Sequence, residues 1–122
     1  MKANPVGWFE IYVQDLNRAR KFYESVLGCK LQKLDSPYEI WAFPMEKDVP
    51  GAPGALVRMD GVPSGGNSTI VYFATEDCAV EEARVTKAGG EIHKGKFSIG
   101  PYGFISLVVD TEGNMIGLHS MK

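Results

Sequence analysis

Two ionisable side chains stand in otherwise apolar stretches near the two ends of this 122-residue chain. Glu10 lies in the middle of GWFEIYV, and His119 follows the apolar run MIGL. Because a buried, unpartnered carboxylate is costly, Glu10 is either functional (a general base, a ligand anchor or a metal ligand) or paired with Arg58 or His119. His119 is a base, a metal ligand, a neutral imidazole held by one hydrogen bond, or an inert, partly solvated residue. These residue types predict acid–base chemistry or polar anchoring of a ligand.

Aromatic side chains accompany these residues in several of the apolar stretches. Most aromatics are core residues, but those that line a cavity favour a flat or partly apolar ligand held by stacking. The candidates for such ligand contacts are Trp8, Tyr12, Trp41, Phe43, Tyr72 and Tyr102. Arg58 is a candidate anchor for a carboxylate or phosphate, with an ordinary surface arginine as the alternative. Gly100-Pro101-Tyr102-Gly103 predicts a tight turn, either at the mouth of a cavity or as a plain connection between strands.

A helix-opening pattern that occurs twice sets the frame in which these residues lie. Asp15 opens DLNRARKFYESVLGCKL, and Asp77, 62 residues later, opens DCAVEEARVTKAGGEI. Each aspartate is a natural N-cap, because its carboxylate can accept from free backbone N–H groups of the first turn. Gly28 and Gly90, at the same offset, are predicted to end the two helices. An apolar strand precedes each helix, so the pattern predicts two matching modules.

Each module is predicted to contain one strand, one helix and three further strands, which gives an α+β fold of two βαβββ modules in one domain. Module one covers about residues 5–60, the turn-forming stretch at about 61–67 is the linker, and module two covers about 68–122. Helices are expected on one face of the curved mixed sheet. The opposite face is predicted to surround a cavity, and its residues are the functional candidates.

The composition argues against several classes of partner. A net charge of −2 and the lack of a basic run predict no nucleic-acid partner. No apolar run approaches the ~20 residues that cross a bilayer, and no signal-peptide core follows the N-terminus. We therefore expect a cytoplasmic protein with no membrane partner. Cys29 and Cys78 are expected to be buried, reduced thiols.

The run VQDLNRARKFYESVLG resembles the opening of vicinal-oxygen-chelate proteins, and GPYGFISLVVDTEGNMIGLHS resembles their closing hairpin. This superfamily includes glyoxalase I, bleomycin-resistance proteins, extradiol dioxygenases and fosfomycin-resistance enzymes. The resemblance covers nearly the whole chain and implies the glyoxalase/bleomycin-resistance fold. It also implies a homodimer, because short chains of this family usually pair. It is less informative about the reaction, since one fold hosts many chemistries.

The resemblance further implies a divalent metal that binds two vicinal oxygens of a substrate. Its ligands would be His, Glu or Gln from the first and last strands of each module. The matching positions here are Trp8, Ile70 and Gly117, and the last strand of module one, ALVRM, offers no His or carboxylate. Trp and Ile cannot bind a hard or borderline cation. We therefore predict no metal ligands and no cofactor, with a divalent metal as the less favoured alternative.

Three polar side chains lie one pleat away from these positions. Glu10, Tyr72 and His119 each follow one of them by two residues, and strand alternation places residues two apart on the same face. This spacing predicts a displaced site in which Glu10 and His119 are the candidate catalytic residues.

Two main functions follow from these observations. The first is a metal-independent binder of a small molecule, similar to the bleomycin-resistance proteins. The alternative is a glyoxalase-like lyase or isomerase, in which Glu10 abstracts a proton and His119 polarises a carbonyl or binds metal. Dioxygenase-like chemistry belongs to the same superfamily, and an interaction module without chemistry is a third hypothesis.

Overall fold

The computed structural model describes residues 4–49, 51–111 and 113–122. Its strands are β1 (Val6–Tyr12), β2 (Gln32–Lys33), β3 (Glu39–Ala42), β4 (Gly54–Arg58), β5 (Thr69–Ala74), β6 (Glu91–Ser98), β7 (Phe104–Val109) and β8 (Met115–Ser120). The helices are α1 (Leu16–Leu27) and α2 (Cys78–Val85), and a short 3-10 turn covers Gly100–Tyr102. The chain order is therefore β-α-β-β-β twice, so the predicted α+β class and its two modules are confirmed. Neither helix in these ranges is long and apolar enough to cross a membrane.

One compact unit covers Phe9–Thr69. Its strands lie in the order β2-β3-β4-β1, and the β1–β4 pair is parallel whereas the other two pairs are antiparallel. A parallel pair needs a long crossover, and α1 with β2 and β3 supplies it. The continuous register from Phe9 to Tyr12 contains no bulge, so alternation along this part of β1 is regular.

The other compact unit combines the N-terminal segment through Trp8 with Ile70–Lys122. Its strands lie in the order β5-β8-β7-β6, with β5–β8 parallel and the other pairs antiparallel. The β6–β7 pair changes register between Ile92 and Lys94 and again between Lys94 and Phe97. Such bulges are common in edge strands, where they discourage pairing with another chain.

Helix α1 begins and ends as its sequence predicts. The Asp15 carboxylate accepts from the backbone N–H of Arg18 at 3.0 Å, and Gly28 takes a left-handed conformation with φ 64°. Leu16 packs in a buried cluster with Val13, Leu31 and Leu56. The predicted apolar stripe is used only in part, since three of its members are exposed by 59%, 64% and 59%: Phe22, Val26 and Leu27.

Helix α2 keeps the predicted cap but not the predicted end. Asp77 accepts from the backbone N–H of Ala79 at 3.0 Å, yet the helix stops at Val85 and does not extend to Gly90. Gly89 has the positive φ of 101°, and the prediction for Gly90 was wrong. A Cβ at Gly90 would lie 2.5 Å from the Val109 carbonyl oxygen. Glycine is therefore needed there for close packing against β7.

A polar network joins α2 to β6 and β7. Glu82 Oε1 accepts from the buried Ser106 hydroxyl at 2.7 Å and from the backbone N–H of Lys96 at 2.5 Å. Lys96 Nζ in turn donates to Asp77 Oδ1 at 2.9 Å. This lysine contact, together with the Ala79 N–H, holds the pKa of Asp77 below its ordinary value of 3.8. The network satisfies a backbone N–H that the irregular β6–β7 register leaves without a strand partner.

Candidate functional site

Cross-strand register determines which side chains share a face in the first unit. Ile11 pairs with Leu56, and both belong to the core beneath α1. Glu10 and Tyr12 pair with Ala55 and Val57. Because successive strand residues alternate faces, Glu10 and Tyr12 lie on the face opposite α1, as the sequence predicted for this strand.

Glu10 has a partner on its own strand. The Tyr12 hydroxyl donates to Glu10 Oε1 at 2.8 Å. Glu10 is half-buried, and Tyr12 is only 6% exposed. A hydrogen bond to a carboxylate restricts its rotamer. Glu10 is thereby held as an oriented acceptor, which suits a base or an anchor for a donor group.

Arg58 lies at the opposite face and is engaged by other groups. Its register partner is Glu39, whose Oε2 accepts from Arg58 Nη1 at 3.2 Å, and Asp60 Oδ1 accepts from the same nitrogen at 3.3 Å. Nε donates to the Gln14 carbonyl oxygen at 3.3 Å. The predicted pairing with Glu10 is therefore not formed. An anion at Arg58 would have to compete with two carboxylates, which weakens the guanidinium as an anchor.

Trp41 and Phe43 lie on the helix side of the sheet. Trp41 pairs with Leu56, and the Arg20 guanidinium lies 3.6 Å from the centre of the Trp41 ring. The Tyr23 and Phe43 rings meet edge to face with centroids 5.7 Å apart. Both residues pack against the core cluster beneath α1. Because Trp41 and Phe43 pack in this core cluster and not beside Glu10, they are not part of the site that we propose below.

In the second unit, the face opposite α2 carries Tyr72 and His119. Tyr72 pairs with Gly117, Phe73 with Leu118 and Ala74 with His119. Phe73 and Leu118 belong to the core beneath α2, so alternation places the other pairs on the opposite face. The predicted shared face of Tyr72, Gly117 and His119 therefore agrees with the register.

The Tyr72 ring occupies the space above Gly117. Tyr72 is 5% exposed, and Gly117 is buried. A Cβ added at Gly117 would overlap three atoms of the Tyr72 ring. Any side chain at position 117 would therefore have to displace this ring. Local sequence could not reveal this contact, because the two residues lie in different strands.

The His119 ring is held by the turn that precedes β7. Its Nε2 lies 2.6 Å from the Tyr102 carbonyl oxygen. The Tyr102 side chain is 41% exposed, and Gly103, buried beneath it, has φ 102°. The predicted turn at 100–103 thus exists and contacts a candidate catalytic residue. The contact between Tyr102 and His119 was not predicted, since it joins segments 17 residues apart.

Two surface hollows lie elsewhere. One, of about 650 Å³, is lined by residues near the end of α1, among them Lys21, Glu24 and Cys29. The other, of about 270 Å³, is lined by residues that include Tyr38 and Arg58. Both are open depressions of the first unit, and neither contains Glu10, Tyr72 or His119. Volume alone therefore does not identify the site.

A family model described as "Bleomycin resistance protein-like N-terminal" matches residues 6–46. CFP32 of Mycobacterium bovis, whose name describes it provisionally as a glyoxylase, is 27% identical to this chain over 117 residues. The alignment covers 92% of this chain and 44% of CFP32. The chain therefore spans less than half the length of this curated relative.

Solved structures share the fold at low identity. Methylmalonyl-CoA epimerase from Streptomyces coelicolor, in complex with 2-nitronate-propionyl-CoA, is 16% identical with a TM-score of 0.66, and 96% of each chain is covered. A glyoxalase/bleomycin resistance protein/dioxygenase superfamily member from Vibrio splendidus is also 16% identical with a TM-score of 0.66, covering 92% of this chain and 95% of that one. A hypothetical protein from Bacillus halodurans reaches 0.74 at 13% identity, with 99% and 96% covered. These solved structures show that the chain has the glyoxalase/bleomycin-resistance fold, and residues 6–46 are similar to the bleomycin-resistance-like family.

The divalent metal that the resemblance to vicinal-oxygen-chelate proteins implies does not fit the matching positions of this chain. Trp8 and the buried Ile70 offer no ligand atom for such an ion. The third position, Gly117, has no side chain, and the Tyr72 ring fills the space that a carboxylate there would need. Within residues 4–49, 51–111 and 113–122, no three His, Cys, Asp or Glu side chains come together as an ion site.

Proposed function

We propose that this protein binds a small molecule through side-chain contacts, with no resident metal ion. The proposal rests on the packing of the Tyr72 ring over Gly117. Because of this packing, an apolar ring fills the space at a position where the resemblance implies a metal ligand. The match to a bleomycin-resistance-like model over residues 6–46 supports it.

The side chains proposed to contact the ligand favour a flat, partly apolar molecule that carries a polar group. Trp8 is half-buried and Tyr102 is exposed, so both have ring surface available for stacking. Tyr12 and Tyr72 are buried, and each supports the strand face on which it lies. Glu10 and His119 are each proposed as a polar contact for a ligand.

The first test measures metal content after purification without chelator, followed by thermal unfolding with nickel, zinc, manganese and iron(II). We expect no stoichiometric metal and no stabilisation by any ion. A site filled at a hundredfold excess over its Kd would add roughly 2.7 kcal/mol of stability. A stabilisation of that order, or one metal per chain, would contradict the proposal.

Ligand binding is tested with bleomycin by tryptophan fluorescence. The chain has only two tryptophans, Trp8 and Trp41. In the Trp41→Phe variant, Trp8 is the single reporter, and bleomycin should quench its emission with saturation. The matched Trp8→Phe variant reports from Trp41 in the helix-side core and should not respond. Quenching confined to Trp41 would place the ligand elsewhere.

A lyase or isomerase is the second candidate function. The observation that favours it is the hydrogen bond from the Tyr12 hydroxyl to Glu10, which holds a half-buried carboxylate in one orientation. In this candidate function Glu10 would abstract a proton from the substrate. In a glyoxalase assay, Glu10→Gln should then lose most of the turnover. If the protein is only a binder, the same variant should keep its ligand affinity within about tenfold, or roughly 1.4 kcal/mol.

We also propose a homodimer in the cytoplasm. Cys29 and Cys78 are free thiols, the usual state in a reducing compartment. The exposed apolar side chains of α1 support self-association, and the dimer is taken up as a prediction in the Discussion.

A further inference from the structure

We infer that the 100–103 turn fixes the ring of His119 so that its Nδ1 accepts a hydrogen bond from an O–H or N–H group of the ligand. The inference rests on the proposed small-molecule binding and names the ligand class that this side of the site selects. The ligand is a flat molecule with a donor group, such as a phenol or an aromatic amine.

The chemistry of the Tyr102 contact determines where the ring proton lies. A carbonyl oxygen can only accept, so at 2.6 Å the His119 Nε2 must be the protonated donor. A neutral imidazole carries one N–H, so its other nitrogen has a lone pair. In the neutral ring Nδ1 is therefore an acceptor, and no hydrogen bond to it is found in the described part of the chain.

The turn that supplies this carbonyl is rigid because its backbone is bonded and packed. Gly103 N–H donates to the Gly100 carbonyl oxygen at 3.2 Å, and Ile99 N–H donates to the Gly103 carbonyl oxygen at 2.8 Å. A Cβ at Gly103 would overlap the Ser120 carbonyl oxygen and would lie 3.3 Å from His119 Nε2. Only glycine lets the turn approach β8 closely enough to reach the ring.

The surroundings of the ring favour an apolar body on the ligand. His119 pairs with Ile105, which is buried on the same face. The Tyr102 side chain, attached to the carbonyl that holds the ring, is 41% exposed. A ligand donor can therefore meet Nδ1 while its flat part contacts aromatic and aliphatic groups. A ligand with acceptors alone gains no hydrogen bond here.

Nitrogen-15 NMR of the histidine rings tests this, with phenol as the donor probe and anisole as its donor-free analogue. The chain has two histidines, and His93 is exposed in β6, so its signals are an internal reference. At a pH where both rings are neutral, we expect a slowly exchanging Nε2–H proton for His119 only. Phenol should shift the His119 Nδ1 resonance and bind about fivefold more tightly than anisole, the gain of one ordinary hydrogen bond.

Two glycine variants test whether the 100–103 turn holds the ring of His119. Gly103→Ala should speed exchange of the His119 Nε2 proton and remove the preference for phenol. Gly113→Ala is the matched control, since Gly113 also has a positive φ of 84° but lies in the β7–β8 hairpin with no atom near its Cβ position. The control should leave both readings unchanged. The wild-type spectrum keeps the inference testable if Gly103→Ala does not fold.

Each outcome separates this inference from the proposed function. The inference is overturned if the Nε2–H proton of His119 exchanges rapidly. It is also overturned if a thermal shift shows that phenol binds while the Nδ1 resonance of His119 does not move. In both cases the proposed small-molecule binding is unaffected. Equal affinity for phenol and anisole also overturns the inference. If neither probe nor bleomycin binds, the proposed function fails together with the inference.

Discussion

At the scale of single residues, a glycine and two tyrosines make defined contacts among the candidate residues. Gly117 makes room for the Tyr72 ring, and Tyr12 orients Glu10. Both tyrosines are buried and were predicted to contact ligand directly. Their burial indicates a supporting part within each unit, with Tyr12 beside Glu10 and Tyr72 over Gly117.

Gly117→Ala is expected to destabilise the protein by about 1–3 kcal/mol, the usual cost of overpacking a filled site. The new Cβ would overlap the Tyr72 ring. Urea unfolding measures the loss. Gly95→Ala in β6, where the Cβ would meet Glu82 at an ordinary 3.4 Å, is the control and should change stability by less than about 0.5 kcal/mol. In a Tyr72→Leu background the cost of Gly117→Ala should fall, and an unchanged cost would refute the contact.

Tyr12→Phe is expected to cost about 1 kcal/mol, because the Glu10 carboxylate loses its donor at 2.8 Å. Chemical denaturation measures this cost. Tyr23→Phe is the matched control, since no hydrogen bond of the Tyr23 hydroxyl is found in the described ranges and its ring contacts do not use the oxygen. Equal effects of the two variants would show that the Tyr12 hydroxyl contributes nothing through Glu10.

At the scale of elements, the two helices begin alike but are anchored differently. Both start at an aspartate, yet only the α2 cap carries a lysine partner, because the irregular strand β6 brings Lys96 to Asp77. Helix α1 ends at a left-handed glycine, Gly28. Helix α2 ends at Val85, before Gly90, and Gly90 instead allows close packing against β7. An internal repeat therefore predicts where elements start better than how they end.

Asp77→Asn is expected to destabilise the protein at neutral pH and progressively less as the solution becomes acidic. Lys96 lowers the pKa of Asp77 in the folded state, so this contribution is complete above the ordinary value of 3.8 and is lost as pH falls through the folded pKa. Unfolding titrations across this pH range compare the variant with wild type. Asp15→Asn is the control, because it removes the charge of a capping carboxylate that has no lysine partner in the described chain. If the loss for Asp77→Asn were the same at every pH, the Lys96 contact would not matter.

At the scale of the whole molecule, the helix α1 carries apolar surface that the described chain leaves uncovered. Phe22 and Val26 are exposed by 59% and 64% and lie one helical turn apart. Exposed apolar patches of this kind mark interaction sites. This placement supports the proposed homodimer, with α1 in the interface.

Sedimentation equilibrium is expected to give twice the chain mass of 13.4 kDa. Phe22→Ser should weaken the dimer by about tenfold or more, since a buried aromatic contributes well over 1 kcal/mol. Val80→Ser removes an exposed apolar side chain from α2 instead, and should leave the association unchanged. A monomer at all concentrations would refute the dimer.

The sequence by itself determined the order of elements, the two helix starts and the alternation of β1. These features follow from short-range chemistry: a carboxylate caps the turn that follows it, and strand neighbours point to opposite faces. Strand alternation was also enough to place Glu10 and Tyr12 together, and Tyr72 with His119.

The tertiary structure alone decided which aromatics meet which face and what holds His119. Trp41 and Phe43 face α1 because β3 pairs with β4 in one particular register, and no local pattern specifies that register. Arg58 is neutralised by Glu39 across the same pair. The contacts of Tyr72 with Gly117 and of His119 with the Tyr102 carbonyl join distant segments. They depend on strand pairing and close packing, which arise only when the whole chain folds.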